Sequence, residues 1–295
     1  MSKRPLPERL VTGALRALAV LPPPLTGPLG AGFGGLAYGL AVTPRRVARA
    51  NIRACFPQLD AKARERLLVR HFQTMGQSAL AIARLWWASP EEFASRVRFR
   101  ERGPYDEALR DKRNIILLAP HFLGLEVAGL RVSLERPAIS MYQKPASALA
   151  GVLLARRQRF GGVLWRNDES LRTLVRAVRS GKPFYYLPDL DPGEADSVVA
   201  PFFGLPTPTL TSLSRLARLT DAVVLPCLTR TLAGGAGFEI TIRPALTPFP
   251  TADPVADAAL MNAAIEAGVR AAPEDYLWTY RRFKRVVTGG RPFYD

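Results

Sequence analysis

Apolar positions along this chain change period twice, and each change predicts a different kind of element. Residues 17–43 carry no charge at all, a stretch long enough in total to span a bilayer. Pro22, Pro23, Pro24 and Pro28 interrupt it, and proline lacks the N–H that a helix interior needs. The expectation is two short apolar helices, at residues 10–21 and 29–42, lying in a membrane interface or forming a re-entrant hairpin. The alternative is that they cover the core. Beyond Asp60, Leu67, Leu68, Phe72, Met75, Ala79, Ile82 and Leu85 recur at helical spacing and predict one long amphipathic helix. Ser89-Pro90-Glu91-Glu92 then supplies a cap, a proline at the first helical position and acidic first-turn residues.

From there short apolar runs alternate with helical patterns. Strands are expected at residues 97–100, 114–119, 138–142, 163–165, 184–187 and 222–228, with helices at 146–160, 170–179 and 257–269. Gly234-Gly235-Ala236-Gly237 reads as a hairpin turn before a strand at 238–243. It is not read as a phosphate loop, because no helix with the right fingerprint follows. This alternation predicts an α/β fold, a mixed, largely parallel sheet flanked by helices, with an N-terminal membrane-associated helical segment. At 295 residues the chain can bury one large core. The expected division is residues 1–44 for the membrane-associated segment and 45–295 for the α/β domain.

Charge adds a partner class. Lys and Arg total 41 against 25 Asp and Glu, a formal +16, which implies attraction to something anionic: nucleic acid, an acidic carrier protein or phospholipid headgroups. No helix-turn-helix or aromatic-interleaved recognition motif is present, so nucleic acid is not the expected partner. Arg4, Arg9 and Arg16 lie at or before the start of the uncharged stretch and Arg45, Arg46 and Arg49 follow it. Basic residues on both sides leave orientation open but fit a protein held on an anionic cytoplasmic leaflet. Cys55 and Cys227 form neither a disulfide scaffold nor a metal-binding spacing. A reducing cytoplasmic setting without a metal site is expected.

His121 is one of two histidines. It follows the apolar run at 114–119 and precedes Leu123, Leu125, Val127, Ala128 and Leu130, which suit a helix packed on a sheet. That places it where a strand ends and a helix begins, the edge at which α/β sheets bind ligands. Within one regular helix, Glu126 would be turned roughly 140° away from His121. The two meet only if His121 lies in the turn and Glu126 in the first helical turns. A carboxylate touching an imidazole fixes its tautomer and steadies the cation, which makes a general base. A histidine after a strand more often caps or packs, and that reading stands beside the catalytic one. His71, on the long helix, reads as a structural contact. Tyr186-Leu187-Pro188-Asp189-Leu190-Asp191-Pro192-Gly193 ends another strand with two acids and a tight turn, a pattern that is also ordinary turn chemistry. Arg156, Arg157, Arg159 and Arg166 form a cluster that is either a solvated face or a set of guanidinium forks for a phosphate.

Together these residues resemble a known family. Pro120-His121-Phe122-Leu123-Gly124-Leu125-Glu126 looks like the His-x4-Glu motif of the late acyltransferases of lipid A biosynthesis, within the wider lysophospholipid acyltransferase group. Residues 188–193 with Pro201-Phe202-Phe203-Gly204 resemble its second block. Residues 272–278 and Arg281-Arg282-Phe283-Lys284 resemble its carboxyl-terminal block. Where relatives commonly carry Arg-Pro after a tyrosine, this chain has Gln143-Lys144-Pro145. The resemblance implies an O-acyltransferase, dependent on acyl carrier protein or acyl-CoA, that moves a fatty acyl group, with acyl carrier protein the expected donor, to a hydroxyl of an anionic lipid acceptor, a lipid A precursor, at the cytoplasmic face of the inner membrane, with no cofactor. Another lipid acceptor is the alternative. His121 and Glu126 would be the catalytic dyad, and Arg156, Arg159, Arg166 and Asp189 would contact substrate. Backbone N–H groups after His121, helped by Arg159 or Arg166, would hold the oxyanion. No Gly-x-Ser-x-Gly elbow exists, so a serine acyl-enzyme is not expected.

Overall fold

A computed structural model describes residues 6–20, 22–142, 147–191, 193, 196–288 and 291–294. Gln143, Lys144 and Pro145, singled out above, lie outside them, as do Arg4 and Pro192. Four helices come first: α1 (Leu6–Ala19), α2 (Pro23–Leu40), α3 (Val42–Cys55) and α4 (Ala61–Leu85). Then follow α5 (Pro90–Arg96), β1 (Val97–Glu101), α6 (Gly103–Arg110), β2 (Asn114–Leu118), α7 (Leu125–Glu135), β3 (Ile139–Tyr142), α8 (Ala148–Arg157), β4 (Val163–Arg166), α9 (Leu171–Arg179) and β5 (Phe184–Tyr186). The chain continues through β6 (Ser197–Phe202), β7 (Leu205–Leu210), α10 (Ser212–Thr220), β8 (Ala222–Thr231), β9 (Phe238–Ile242) and α11 (Pro254–Ala271).

Seven strands form the main sheet in the order β1-β9-β8-β2-β5-β3-β4. Every neighbouring pair is parallel except β8 with β9, so the expected mixed, largely parallel sheet is present. β2 lies at its centre with Ile115 to Leu118 all buried, as a strand covered on both faces must be. Alternation splits these residues between two cores. Ile116 and Leu118 join α3, α9, α10 and α11, while Ile115 and Leu117 join α5, α6 and α7. Asp60 and Ser89 cap α4 and α5 through their side chains, at Ala63 N and Glu92 N.

Several elements depart from the expectations. The second apolar helix begins at Pro23, not residue 29, and keeps Pro28 inside. Prolines in a first turn forfeit no helix bond, so only Pro28 costs one. The antiparallel hairpin β6–β7 has no counterpart among the expected strands. Pro201, Pro206 and Pro208 argue against strand in sequence, and an isolated two-stranded pair tolerates them at its open edges. Helices α3, α6 and α10 are likewise additional to the sequence reading.

Among the described residues, no single helix is long and apolar enough to cross a membrane. α2 and α3 meet instead at a bend of 94°. α2 packs on α4 through glycine: a Cβ at Gly30, Gly34 or Gly76 would fall inside contact distance of backbone on the facing helix. Its opposite face leaves Leu25, Leu29, Phe33, Leu36 and Leu40 exposed. Gly34→Ala should therefore force the helices apart and destabilise the protein by about 2 kcal/mol. A lower thermal midpoint checks this, and Gly32→Ala, where the added carbon meets nothing, is the control.

Candidate active site

Strand register assembles the centre of the site. Leu118 of β2 pairs with Tyr186 of β5, and His121 and Asp189 each lie three residues past their member of that pair. Parallel neighbours deliver the two side chains to the same sheet edge. Asp189 accepts from both the His121 backbone N–H (2.9 Å, Oδ2) and the ring Nδ1–H (2.6 Å, Oδ1). A carboxylate only accepts, so Nδ1 carries a ring proton, and Nε2 is the nitrogen left free of Asp189. The Asp189 side chain is 1% exposed, that of His121 16%. Burial alone would raise the Asp189 carboxyl. The charge of His121, its two hydrogen bonds and nearby Arg282 outweigh burial and hold it below the usual carboxylate range.

The partner expected for His121 was Glu126, and this is corrected. Glu126 lies in the first turn of α7, as anticipated, but its carboxylate is held by Arg157, with Nε to Oε2 at 2.8 Å and Nη2 on Oε1. Asp189 occupies the Nδ1 side of the imidazole. Burial disfavours the Arg157 cation, yet the hydrogen bonds and charge of Glu126 overcome it and raise the guanidinium pKa. His121, Glu126, Arg157 and Asp191 face one cavity of about 550 Å³, within the range of small-molecule sites. Leu125, Gly129, Leu130, Met141 and Leu187 supply its apolar walls. Asp191 receives the Gly193 N–H and lies 3.4 Å from Arg285.

The other expected arginines point elsewhere. Arg159 donates to the carbonyls of Leu85 and Ala88, strapping the end of α8 to the α4–α5 turn. Arg156 donates to the Trp86 carbonyl and stacks on Trp87. Arg166 pairs with Asp168 on the surface. None of the three lines the cavity, whereas Arg157, one position from Arg156, does. Three amides expected to serve an oxyanion are engaged: Phe122 donates to Pro120, Leu123 to Asp275 and Leu125 to Phe122.

The carboxyl-terminal block clamps the His121 turn. The Leu277 N–H donates to the His121 carbonyl, the Leu123 N–H to the Asp275 carbonyl, and Phe122 bridges to Tyr276. Beneath it, Asp275 Oδ1 accepts from the Thr231 backbone and hydroxyl, and His71 Nδ1–H donates to the Glu274 carbonyl. Burial pushes Asp275 up to about 6, against its bonds from Thr231. Burial also pushes His71 down to about 4, against its bond to Glu274.

The chain can be placed among known proteins. The profile of the bacterial lipid A biosynthesis acyltransferases matches residues 6–285. A lipid A biosynthesis acyltransferase of Haemophilus influenzae is 32% identical over 273 residues, covering 92% of this chain and 84% of the relative. The lipid A biosynthesis palmitoleoyltransferase of Escherichia coli is 31% identical, covering 96% and 92%. The lipid A biosynthesis lauroyltransferase of that organism is 28% identical, covering 94% and 91%.

Asp275 and His71 should oppose each other in pH dependence. A raised acid stabilises the fold below its unfolded value of about 3.9, and this is lost as pH rises through about 6. A lowered base stabilises it above about 6.5, and this is lost as pH falls through about 4. Each contribution is on the order of 3 kcal/mol. Asp275→Asn keeps an oxygen towards Thr231 and removes one slope. Its thermal midpoint should then drop more steeply than wild type between pH 6.5 and 4, and superimposable profiles would refute the titration of Asp275.

Proposed function

The chain belongs to the bacterial lipid A biosynthesis acyltransferases, and from that premise we propose a specific donor, site and location for its reaction. The donor is the thioester of an acyl carrier protein, the acceptor a hydroxyl of an anionic lipid A precursor. The observation that carries the reading is the hydrogen bond from His121 Nδ1 to buried Asp189, which leaves Nε2 as the basic nitrogen beside a cavity with both polar and apolar walls.

In the proposed reaction Nε2 takes the proton of the acceptor hydroxyl as its oxygen attacks the thioester carbonyl. The C–O bond forms, and the carbonyl oxygen becomes an oxyanion. Asp189 steadies the imidazolium, as a buried carboxylate does for a catalytic histidine elsewhere. Collapse of the tetrahedral intermediate breaks the C–S bond, and the imidazolium returns its proton to the leaving thiolate. Arg157, aimed at the cavity by its bidentate pairing with Glu126, supplies positive charge for the oxyanion or for a phosphate of the acceptor. Glu126 thus acts in the site by positioning Arg157. The chemistry needs no cofactor.

Residues 1–44 are assigned as the membrane-associated segment and residues 45–295 as the catalytic domain, on the cytoplasmic face of the inner membrane. The exposed stripe of α2 supports this, as do Arg45, Arg46, Arg49 and Arg53 on the helix that follows. An apolar stripe flanked by arginines suits an anionic lipid interface.

His121→Ala should abolish transfer with folding intact. Asp189→Asn, which offers Nδ1 an amide, should lower kcat by about 10²- to 10⁴-fold. Steady-state assays with a carrier-protein thioester and a lipid A precursor check both, and wild-type turnover in either variant removes that residue from the mechanism. Phe33→Asp with Leu36→Asp should move the protein from the membrane fraction into the soluble one. Unchanged sedimentation with anionic vesicles would exclude α2 as the anchor.

A further inference from the structure

Helix α9 carries an unusual charge arrangement. Leu174 and Val178 are buried against the sheet, while Arg172, Arg176 and Arg179 form an exposed row at i, i+4 and i+7. Leu171 and Val175 run beside that row, half-buried, and Leu219 of α10 faces them across a groove of about 450 Å³. Among the described residues, no ion pair or side-chain hydrogen bond is seen for any of the three guanidinium groups. The helix dipole favours cations in the last turn, which suits Arg176 and Arg179. It disfavours one in the first turn, where Arg172 sits and no acid of that turn accompanies it. Local electrostatics therefore do not account for the row.

We infer that this groove docks an acidic amphipathic helix of the acyl-donor carrier protein. The inference rests on the carrier-protein donor proposed above. A row of cations along an apolar channel complements a helix with acids bordering an apolar stripe. The shape separates this face from a membrane contact. On α2 the apolar side chains project outward, with Leu40 73% exposed, whereas Leu171 and Val175 of α9 are half-buried beside the arginines. The position suits delivery of a thioester. β4 runs parallel to β3, β3 to β5 and β5 to β2, so α9 begins at the sheet edge that carries His121. A carrier seated along α9 has its flexible arm free to reach round that edge into the cavity.

The test compares two donors, the carrier-protein thioester and the coenzyme A thioester of the same fatty acid. In the triple variant Arg172→Glu, Arg176→Glu, Arg179→Glu, KM for the carrier-protein donor should rise about tenfold or more, since each exposed charge contributes modestly. The salt dependence of kcat/KM should disappear, and kinetics with the coenzyme A donor should stay unchanged. Arg176→Ala, a milder change, should raise the carrier-protein KM a few-fold with an unaltered thermal midpoint. A wild type that does not prefer the carrier-protein donor overturns the donor reading and this surface with it. A wild-type preference retained by both variants overturns the surface alone. Loss of binding to anionic vesicles with carrier-protein kinetics intact reassigns the row to the membrane.

Discussion

One carboxylate holds the site together. Asp189 accepts from the ring and the backbone of the same histidine, so a single buried side chain sets the position, rotation and tautomer of His121. A buried charge is stable only when paired and hydrogen-bonded, and here both conditions are met by one residue. The dependence is mutual. Without Asp189 the imidazole has no fixed orientation, and without His121 the carboxylate loses the pairing that offsets its burial. Their meeting requires β5 to lie directly beside β2 in register, which makes the sheet topology part of the chemistry.

The turn that bears His121 is also gripped from behind by residues 273–278, more than 150 positions away in sequence. Backbone bonds in both directions tie Leu277 to His121 and Leu123 to Asp275. Below these, His71 and Asp275 are buried polar groups with opposite responses to acid. α2 then closes over α4 on glycines whose lost side chains let the backbones touch. Residues 273–278 thus form a structural clamp on the turn that bears His121.

The net positive charge is not one surface. Arg159 straps α8 to the α4–α5 turn, Arg282 is buried against Phe202 and the Pro208 carbonyl, and Arg157 is committed to Glu126. Guanidinium groups suit such interior work because their planar forks bond carbonyls and carboxylates and stack on rings. What remains for an external anion is spread over several elements, α3, α4 and α9 among them. Total charge therefore says that anions are attracted without saying where one would bind.

The apolar runs at 114–119 and 184–187, the cap at Ser89, and the position of His121 past a strand were all legible in sequence, because each depends on neighbours a few residues apart. The hairpin β6–β7 was hidden by prolines that only an open edge tolerates. The identity of the histidine's partner was also out of reach. Glu126 is close along the chain and Asp189 is distant, but strand order decides contact, and the order β2–β5–β3 is not written in any local pattern. The same holds for Arg157 against Arg156 and Arg159. Neighbouring positions on a helix differ by about 100° in direction, and only the packing of α8 against α1 and α7 selected which guanidinium entered the cavity. Sequence alone determined the elements and the chemical inventory, and tertiary structure determined the pairings, since burial and register act between residues that sequence keeps apart.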